Sequence, residues 1–207
     1  MSGLRERQKE ERRLAIRQAA GELFREQGYA QTTVEQIAVR AGLSPATVFN
    51  YYPSKGDLLL ALVSAADEQY LARLRREAAK PELPPERAAA RLLESFTAES
   101  LKVLERDAWR HLLAGTLLNP EAPFVQAYTE LNARLRGALA ELIASLQAQG
   151  TVDPQADPAR VAQVLFDLDQ ALFERLIADP AMTLKQYREE LEAAVGVVMR
   201  GVYLRGV

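Results

Sequence analysis

Residues 28–55 of this 207-residue chain read GYAQTTVEQIAVRAGLSPATVFNYYPSK and contain two short helical patterns separated by a glycine. In the first pattern Val34 and Ile37 lie three residues apart, a spacing that places both side chains on one face of a helix. Gly42 ends this helix, and Pro45 then occupies the first position of the next one, where its fixed φ and missing N–H suit a helix start. Two short helices joined by a tight, glycine-containing turn are typical of a helix-turn-helix.

The residues that flank these patterns predict where each helix starts and ends. Thr32, followed three residues later by Glu35, predicts a capping box at the start of the first short helix, and Ser44 predicts the N-cap of the second. Upstream, an apolar stripe predicts a longer helix that Gly28 ends in the left-handed conformation. The stripe consists of Ile16, Ala19, Ala20, Leu23 and Phe24.

The second short helix is predicted to have one buried face and one outward face. Val48 and Tyr52 lie four residues apart and point inward. The residues left pointing outward are Pro45, Ala46, Phe49 and Asn50. Small residues in the leading turn let a helix enter the major groove, and an exposed Phe indicates a contact surface. The alternative is a plain helical hairpin in which Phe49 packs against a neighbouring helix.

Composition predicts an all-α protein, and breaks at Pro and Gly divide the chain into about nine helical segments. Hydrophobic residues make up 48% and charged residues 26% of the chain, while aromatic residues reach only 7%. The absence of cysteine and a single histidine, His111, exclude disulfides, thiol nucleophiles and multi-histidine metal sites. We therefore expect no cofactor, no metal and no enzymatic activity. The sequence contains neither an apolar run of membrane-spanning length nor a secretory signal, so we expect a cytoplasmic protein without membrane contact.

The charges are unevenly distributed along the chain. Residues 1–56 carry nine Lys or Arg and six Glu, a net charge of +3, whereas the rest of the chain has a net charge of −5. A basic head on an acidic body favours a nucleic-acid partner for the head.

The ordered run from Gly28 to Lys55, extended back over Ile16–Phe24 and forward to Leu58 and Leu59, resembles the DNA-binding signature of TetR-family transcriptional regulators. The resemblance implies a three-helix DNA-binding domain in residues 1–54 and a helical effector-binding and dimerisation domain in residues 55–207. It also implies a homodimeric repressor that binds a palindromic operator in double-stranded DNA and releases it when a small molecule binds.

Carried over to this sequence, the resemblance assigns the DNA contacts. The candidates for positioning on phosphates are Thr32, Thr33, Thr47, Tyr51 and Lys55, and Ser44 is a further DNA-binding candidate. The candidates for contacts to bases are Pro45, Ala46, Phe49 and Asn50. Only Asn50 has the donor and acceptor pair that addresses adenine, and a phosphate contact is the alternative for this residue. Phe49 stands where the family most often has Tyr, which removes a hydroxyl group that would bind phosphate. For Lys55 the alternative is a solvated surface charge.

The C-terminal part is predicted to hold the effector. A helix from Lys55 to Ala79 would link the two domains as a lever. Large side chains in the following segments are candidates for a ligand pocket, although each also fits ordinary core packing. They are Phe96, Trp109, His111, Leu113, Leu117, Phe124, Tyr128, Leu131 and Phe166. The expected ligand is an apolar or amphipathic molecule such as an acyl-coenzyme A.

The last two helical segments carry broad apolar stripes that favour a dimer, with packing inside one subunit as the alternative. The predicted interface consists of Val161, Val164, Leu165, Leu168, Leu172, Leu191, Val195, Val198 and Val202. Two rival functions remain open at this point, a helical enzyme and a protein-interaction adaptor, each with a vestigial DNA-binding head.

Overall fold

The computed structural model describes residues 2–65 and 67–202, and these form ten α-helices. They are α1 (Ser2–Gln27), α2 (Val34–Arg40), α3 (Pro45–Tyr51), α4 (Lys55–Ala65), α5 (Asp67–Ala79), α6 (Pro85–Val103), α7 (Arg106–Leu118), α8 (Pro123–Ala148), α9 (Pro158–Ala178) and α10 (Leu184–Val202). The all-α prediction is confirmed, with one helix more than predicted. Residue 66, between α4 and α5, lies outside the described residues, so a single lever helix stays a prediction. Among the helices of the described part, none is long and apolar enough to cross a membrane.

The helices belong to two compact units. The first holds α1 to α4, α7 and α8 as far as Tyr128, and the second holds α5, α6, α8 from Thr129 onward, α9 and α10. The predicted boundary after residue 54 separates a DNA-binding domain from an effector-binding and dimerisation domain, and it stays a prediction.

Helix α1 packs through the predicted apolar stripe, whose five side chains are all at most 5% exposed. Gly28 follows the helix with φ of +82°, and its N–H donates to the carbonyl oxygen of Phe24. This is the left-handed helix end that glycine adopts without strain. The predicted end of α1 is therefore confirmed.

The N-cap of α2 lies one residue later than predicted. Thr33 is the cap: its hydroxyl accepts from the N–H of Gln36 at 3.2 Å, while the Gln36 side chain accepts from the N–H of Thr33 at 2.9 Å. The box predicted between Thr32 and Glu35 is wrong. Two adjacent threonines followed by Glu and Gln satisfy the capping spacing in two registers, and Thr32 instead turns into the protein.

Helix α3 begins as the sequence predicts. Gly42 ends the preceding segment with φ of +69°, and the hydroxyl of Ser44 accepts from the N–H of Thr47 at 3.2 Å. Pro45 occupies the first helical position. These three residues lie close together in the sequence, and together they determine where α3 begins.

The aromatic ring of Phe124, at the start of α8, packs against two glycines of the first unit. A Cβ atom added to Gly56 of α4 would lie 3.2 Å from this ring, and one added to Gly115 of α7 would lie 3.1 Å from it. Both distances are shorter than ordinary van der Waals contact. An alanine at either position would therefore require the Phe124 ring to shift by a few tenths of an ångström.

In the second unit, α9 and α10 pack together around a buried polar pair. Asp169 is 1% exposed and Tyr187 is fully buried, and the Tyr187 hydroxyl donates to the Asp169 carboxyl group. Burial raises the pKa of Asp169 to about 7 and the pKa of Tyr187 above its ordinary value. On the surface of the same helix pair, Arg175 binds Glu190 at 2.7 Å.

Candidate nucleic-acid interface

Helix α3 presents the outward face that the sequence predicts. Val48 is fully buried and Tyr52 is 8% exposed, so these two side chains hold α3 on the protein. The residues on the opposite face are all exposed: Pro45, Ala46, Phe49 and Asn50. Phe49 is 46% exposed, which rules out the plain hairpin with a buried Phe49. The predicted orientation is confirmed.

The candidates for phosphate contact differ in how accessible they are. Thr33 and Ser44 are exposed, and Thr47 and Tyr51 are half-buried at the edge of α3. The Thr47 and Ser44 hydroxyls lie 2.8 Å apart and share a hydrogen bond. Ser44, Thr47 and the N–H groups in the first turn of α3 therefore lie together at the start of this helix.

Thr32 is wrong as a phosphate contact. Its side chain is 1% exposed, and its hydroxyl donates to the carbonyl oxygen of Gly28 at 2.8 Å and accepts from the Gln27 side chain at 3.2 Å. The hydroxyl group thus closes the loop between α1 and α2 and does not reach the surface. The missing signal was the register of the capping box, because a threonine before the N-cap is free to turn inward.

Lys55 has a role that the sequence did not reveal. Its ammonium group donates to the carbonyl oxygens of Tyr29 at 2.7 Å and of Thr32 at 2.8 Å, and it lies 4.2 Å from the centroid of the Tyr29 ring. Burial lowers the pKa of Lys55. Two of its three N–H groups are therefore engaged, which leaves one for a phosphate. The lysine fastens the loop before α2 to the start of α4, so it is not merely a solvated charge.

His111 is wrong as a pocket residue. Its side chain is 43% exposed, its ring lies 4.8 Å from the Tyr29 ring, and its Nε2 is 3.8 Å from Asp107. Tyr29 also packs on Phe24, with ring centroids 5.2 Å apart, and burial raises the pKa of its hydroxyl. His111 of α7 therefore packs on the loop that Lys55 holds.

Arg40, in the last turn of α2, binds two carboxylates of α1. Its guanidinium lies 3.2 Å from Glu22 and 2.9 Å from Glu26, and the hydrogen bond from Arg40 lowers the pKa of Glu26. All three side chains are exposed, so each pair adds little to the free energy of unfolding. These ion pairs link the end of α2 to α1.

The nine predicted pocket residues are divided between the two units. Six of them belong to the first unit and three to the second, where the rings of Phe96 and Phe166 are buried with centroids 6.3 Å apart. Leu117 is 84% exposed and is wrong as a pocket residue, and Phe124 packs on glycines as described above. The other predicted contacts to a ligand stay predictions.

A different cavity is present in the second unit. It has a volume of about 550 Å³, opens to solvent and is formed by α5, the loop after it, α6 and α8. Arg76, Lys80 and Arg91 are among its lining residues, whereas none of the nine predicted residues lines it.

The predicted dimer interface needs a correction. Five of its residues are at most 8% exposed within a single chain and are wrong as contacts to a partner: Val161, Leu165, Leu172, Leu191 and Val195. The apolar stripes are broader than an interface needs, and the subunit core uses one edge of each stripe. Val164 is 48% exposed, and Leu168 and Val198 are half-buried. The side chain of Val202 lies outside the described residues.

Helix α3 is exposed and follows α2 after a short turn that caps its start, and both helices are anchored on the longer α1. This arrangement defines a helix-turn-helix protein. The family model for "Bacterial regulatory proteins, tetR family" matches residues 16–62. Residues 16–62 therefore carry the TetR-family DNA-binding domain, and the fold of the chain is similar to that of solved TetR-family regulators.

The relatives are similar over much of the chain. The "HTH-type transcriptional regulator TcmR" of Streptomyces glaucescens is 32% identical over 152 residues, which is 69% of this chain but only 63% of that relative. The regulator UidR of Escherichia coli is 21% identical over 193 residues, covering 90% of this chain and 92% of its own length. The crystal structure of Thermus thermophilus FadR, described as a transcriptional repressor in complex with lauroyl-CoA, has a TM-score of 0.70 and 29% identity, and the match covers 94% of this chain and 97% of FadR. These relatives are regulators and not enzymes, in agreement with the expectation of a non-catalytic protein.

Proposed function

We propose that this protein is a ligand-responsive transcriptional repressor of the cytoplasm, which binds a palindromic operator as a homodimer and leaves it when a small apolar or amphipathic molecule binds. The observation that carries the proposal is the outward face of α3, where Phe49 and Asn50 are exposed on a helix held firmly by its other face. A helical enzyme or an adaptor gives no reason for this arrangement.

The chemistry of that face suggests how DNA is read. Asn50 has the paired donor and acceptor that bind the major-groove edge of adenine, and the Phe49 ring suits a thymine methyl group. No Arg stands among the four outward residues to bind guanine. We therefore expect apolar contacts and DNA shape to supply a large part of the specificity.

The test measures binding of the chain to DNA from the region upstream of its own gene. Asn50→Ala is expected to raise Kd for this DNA about tenfold, since a bidentate base contact contributes about 1–3 kcal/mol, and to change Kd for unrelated DNA little. Gln155→Ala, an exposed amide in the loop before α9, serves as the matched control. Equal affinity of wild type and Asn50→Ala for the upstream DNA would refute the proposed contact between Asn50 and a base. A wild-type protein that does not bind the upstream DNA even at low salt would refute the DNA-binding function itself.

The homodimer is proposed on the part of the predicted face that stays accessible, together with one new residue. Val164 of α9 is exposed and Leu168, one turn later, is half-buried, while Val197 of α10 is 65% exposed. Arg175, eleven residues after Val164, pairs with Glu190, seven residues before Val197, so the two exposed stripes lie side by side. Two such helix pairs from two chains form a four-helix bundle, and a dimer places two copies of α3 about one DNA turn apart.

Light scattering on Val164→Arg with Val197→Arg tests this face. Both side chains are exposed, so the double variant is expected to fold normally by circular dichroism but to be monomeric at micromolar concentration, because a dimer would bury unpaired charges. Ala181→Arg, an exposed position in the turn after α9, is the control and is expected to stay dimeric. A dimeric double variant would place the interface elsewhere.

The ligand class is proposed from the similarity to FadR, whose crystal structure holds lauroyl-CoA. Operator affinity that falls 100-fold requires the ligand to favour the non-binding geometry by about 2.7 kcal/mol. The same factor must then weaken ligand binding to the protein–DNA complex. Titration of lauroyl-CoA with and without operator measures this reciprocity, and equal affinity in both would refute release by allostery.

A further inference from the structure

The open cavity of the second unit carries an excess of positive charge on its rim. Arg76, Lys80 and Arg91 line it, and none of the three has an ion pair within 4 Å in the described part of the chain. This local excess stands out because the chain after residue 56 has a net charge of −5. Unpaired cations around a concave surface attract an anionic ligand.

The other charged lining residues leave this excess in place. Arg73 is 3.9 Å from Glu77 and lies over the Tyr70 ring, so this pair is internally balanced. Glu82 is the remaining carboxylate of the lining, and it opposes three cations. The cavity therefore has a net charge of +2 when all six ionisable lining residues are counted.

The floor of the cavity is apolar. Ala78 of α5, Leu92 of α6 and Leu142 of α8 line it and are each at most 5% exposed. A volume of about 550 Å³ falls in the range of small-molecule sites. A basic rim above an apolar floor fits a molecule with a charged head and a hydrocarbon chain.

We propose that this cavity binds an anionic amphiphile, with phosphate or carboxylate groups between Arg76, Lys80 and Arg91 and the apolar chain on the floor. The proposal rests on the proposed function, for which it assigns the ligand site and the ligand charge. Arginine forms bidentate hydrogen bonds with phosphate and carboxylate, and lysine adds a point charge. An uncharged apolar effector would leave the three cations without a role.

Isothermal titration calorimetry with three probes tests the site. The probes are lauroyl-CoA, coenzyme A and laurate, each at low and at physiological salt. Arg91→Gln is expected to raise Kd for lauroyl-CoA about fivefold, and Arg76→Gln with Arg91→Gln about 25-fold, with smaller effects at physiological salt because exposed charges are screened over about 8 Å. Arg87→Gln is the control, because Arg87 is an exposed arginine on the same helix that does not line the cavity.

Each outcome decides the proposal. Tight binding of lauroyl-CoA with weak binding of laurate supports a phosphate head, and similar binding of both supports a carboxylate or thioester-linked chain with little phosphate contribution. Unchanged affinity of the double variant, or equal losses in Arg87→Gln, overturns the site. Failure of all three probes to bind wild type at millimolar concentration overturns it as well.

Parallel DNA-binding measurements separate this proposal from the proposed function. Probe binding that depends on Arg76 and Arg91 but leaves operator affinity unchanged supports the site and refutes release by the ligand. Release of operator by lauroyl-CoA that is equally strong in wild type and in the double variant supports the regulator and overturns the site.

Discussion

Replacement of Lys55 by methionine separates its structural role from a phosphate contact. Methionine keeps most of the apolar stem and removes the ammonium group, which donates 2.7 Å and 2.8 Å hydrogen bonds to the carbonyl oxygens of Tyr29 and Thr32. The substitution leaves both carbonyl groups without this donor while the packing around the stem is largely preserved.

The size of the effect follows from these contacts. Hydrogen bonds that involve a charged group contribute about 1.5–3 kcal/mol each, and the contact with the Tyr29 ring adds about 0.5 kcal/mol. Burial, which lowers the pKa of Lys55, offsets part of this gain. We therefore expect the free energy of unfolding to fall by about 2 kcal/mol, which lowers Tm by about 6 °C in a chain of this length.

Thermal unfolding followed by circular dichroism measures the structural role of Lys55. DNA binding across a salt series measures its contact with phosphate. If the remaining N–H group of Lys55 binds phosphate, the salt slope falls by about one unit per half-site in addition. Lys185→Met, which removes an exposed surface ion pair with Glu189, is the control and is expected to change stability by less than about 0.5 kcal/mol. A Tm equal to wild type in Lys55→Met would refute the loop-fastening role.

Three further predictions concern stability. The pKa of Asp169 is raised to about 7 in the folded chain, so protonation of this carboxyl group stabilises the fold. The contribution to the free energy of unfolding is about 4 kcal/mol at most. It is fully present below about pH 4 and is lost as the pH rises to 7. Asp169→Asn keeps an acceptor for Tyr187, so unfolding by urea is expected to lose this pH dependence, and an unaltered pH profile would contradict the assignment. Gly42→Ala is expected to cost about 1–2 kcal/mol because φ is +69° there, and calorimetry that finds no loss would contradict the left-handed turn. Thr33→Ala is expected to lower the free energy of unfolding by about 1 kcal/mol because the α2 cap is lost. Urea unfolding without this decrease would indicate that another residue caps α2.

Local patterns predicted the first unit well because short-range rules govern it. Ser44, Pro45 and the positive-φ glycines act through the backbone within one turn of chain, so their effects are legible from spacing alone. The outward face of α3 followed from the same periodicity. The N-cap of α2 was predicted one residue too early because two neighbouring threonines both satisfy the capping spacing. Burial of Thr32 leaves Thr33 as the cap.

Contacts between distant segments were not predictable in the same way. Lys55 and Tyr29 meet because a loop folds over the start of α4, and a charge in a first helical turn gives no sign of such a partner. The broad stripes of α9 and α10 did not show which edge serves the core. Leu191 and Val164 have similar hydrophobicity in the sequence, and only tertiary packing buries one and exposes the other.

The ring of Phe124 between Gly56 and Gly115 also limits how this sequence can diverge. A methyl group at either glycine would lie 3.2 or 3.1 Å from the ring and would require the ring to shift by a few tenths of an ångström, so a larger residue there favours a smaller one at position 124. The three positions are distant along the chain but share one fixed volume. We expect them to covary among close relatives, and a graft of α7 or α8 from another family member to succeed only when all three residues are transferred together.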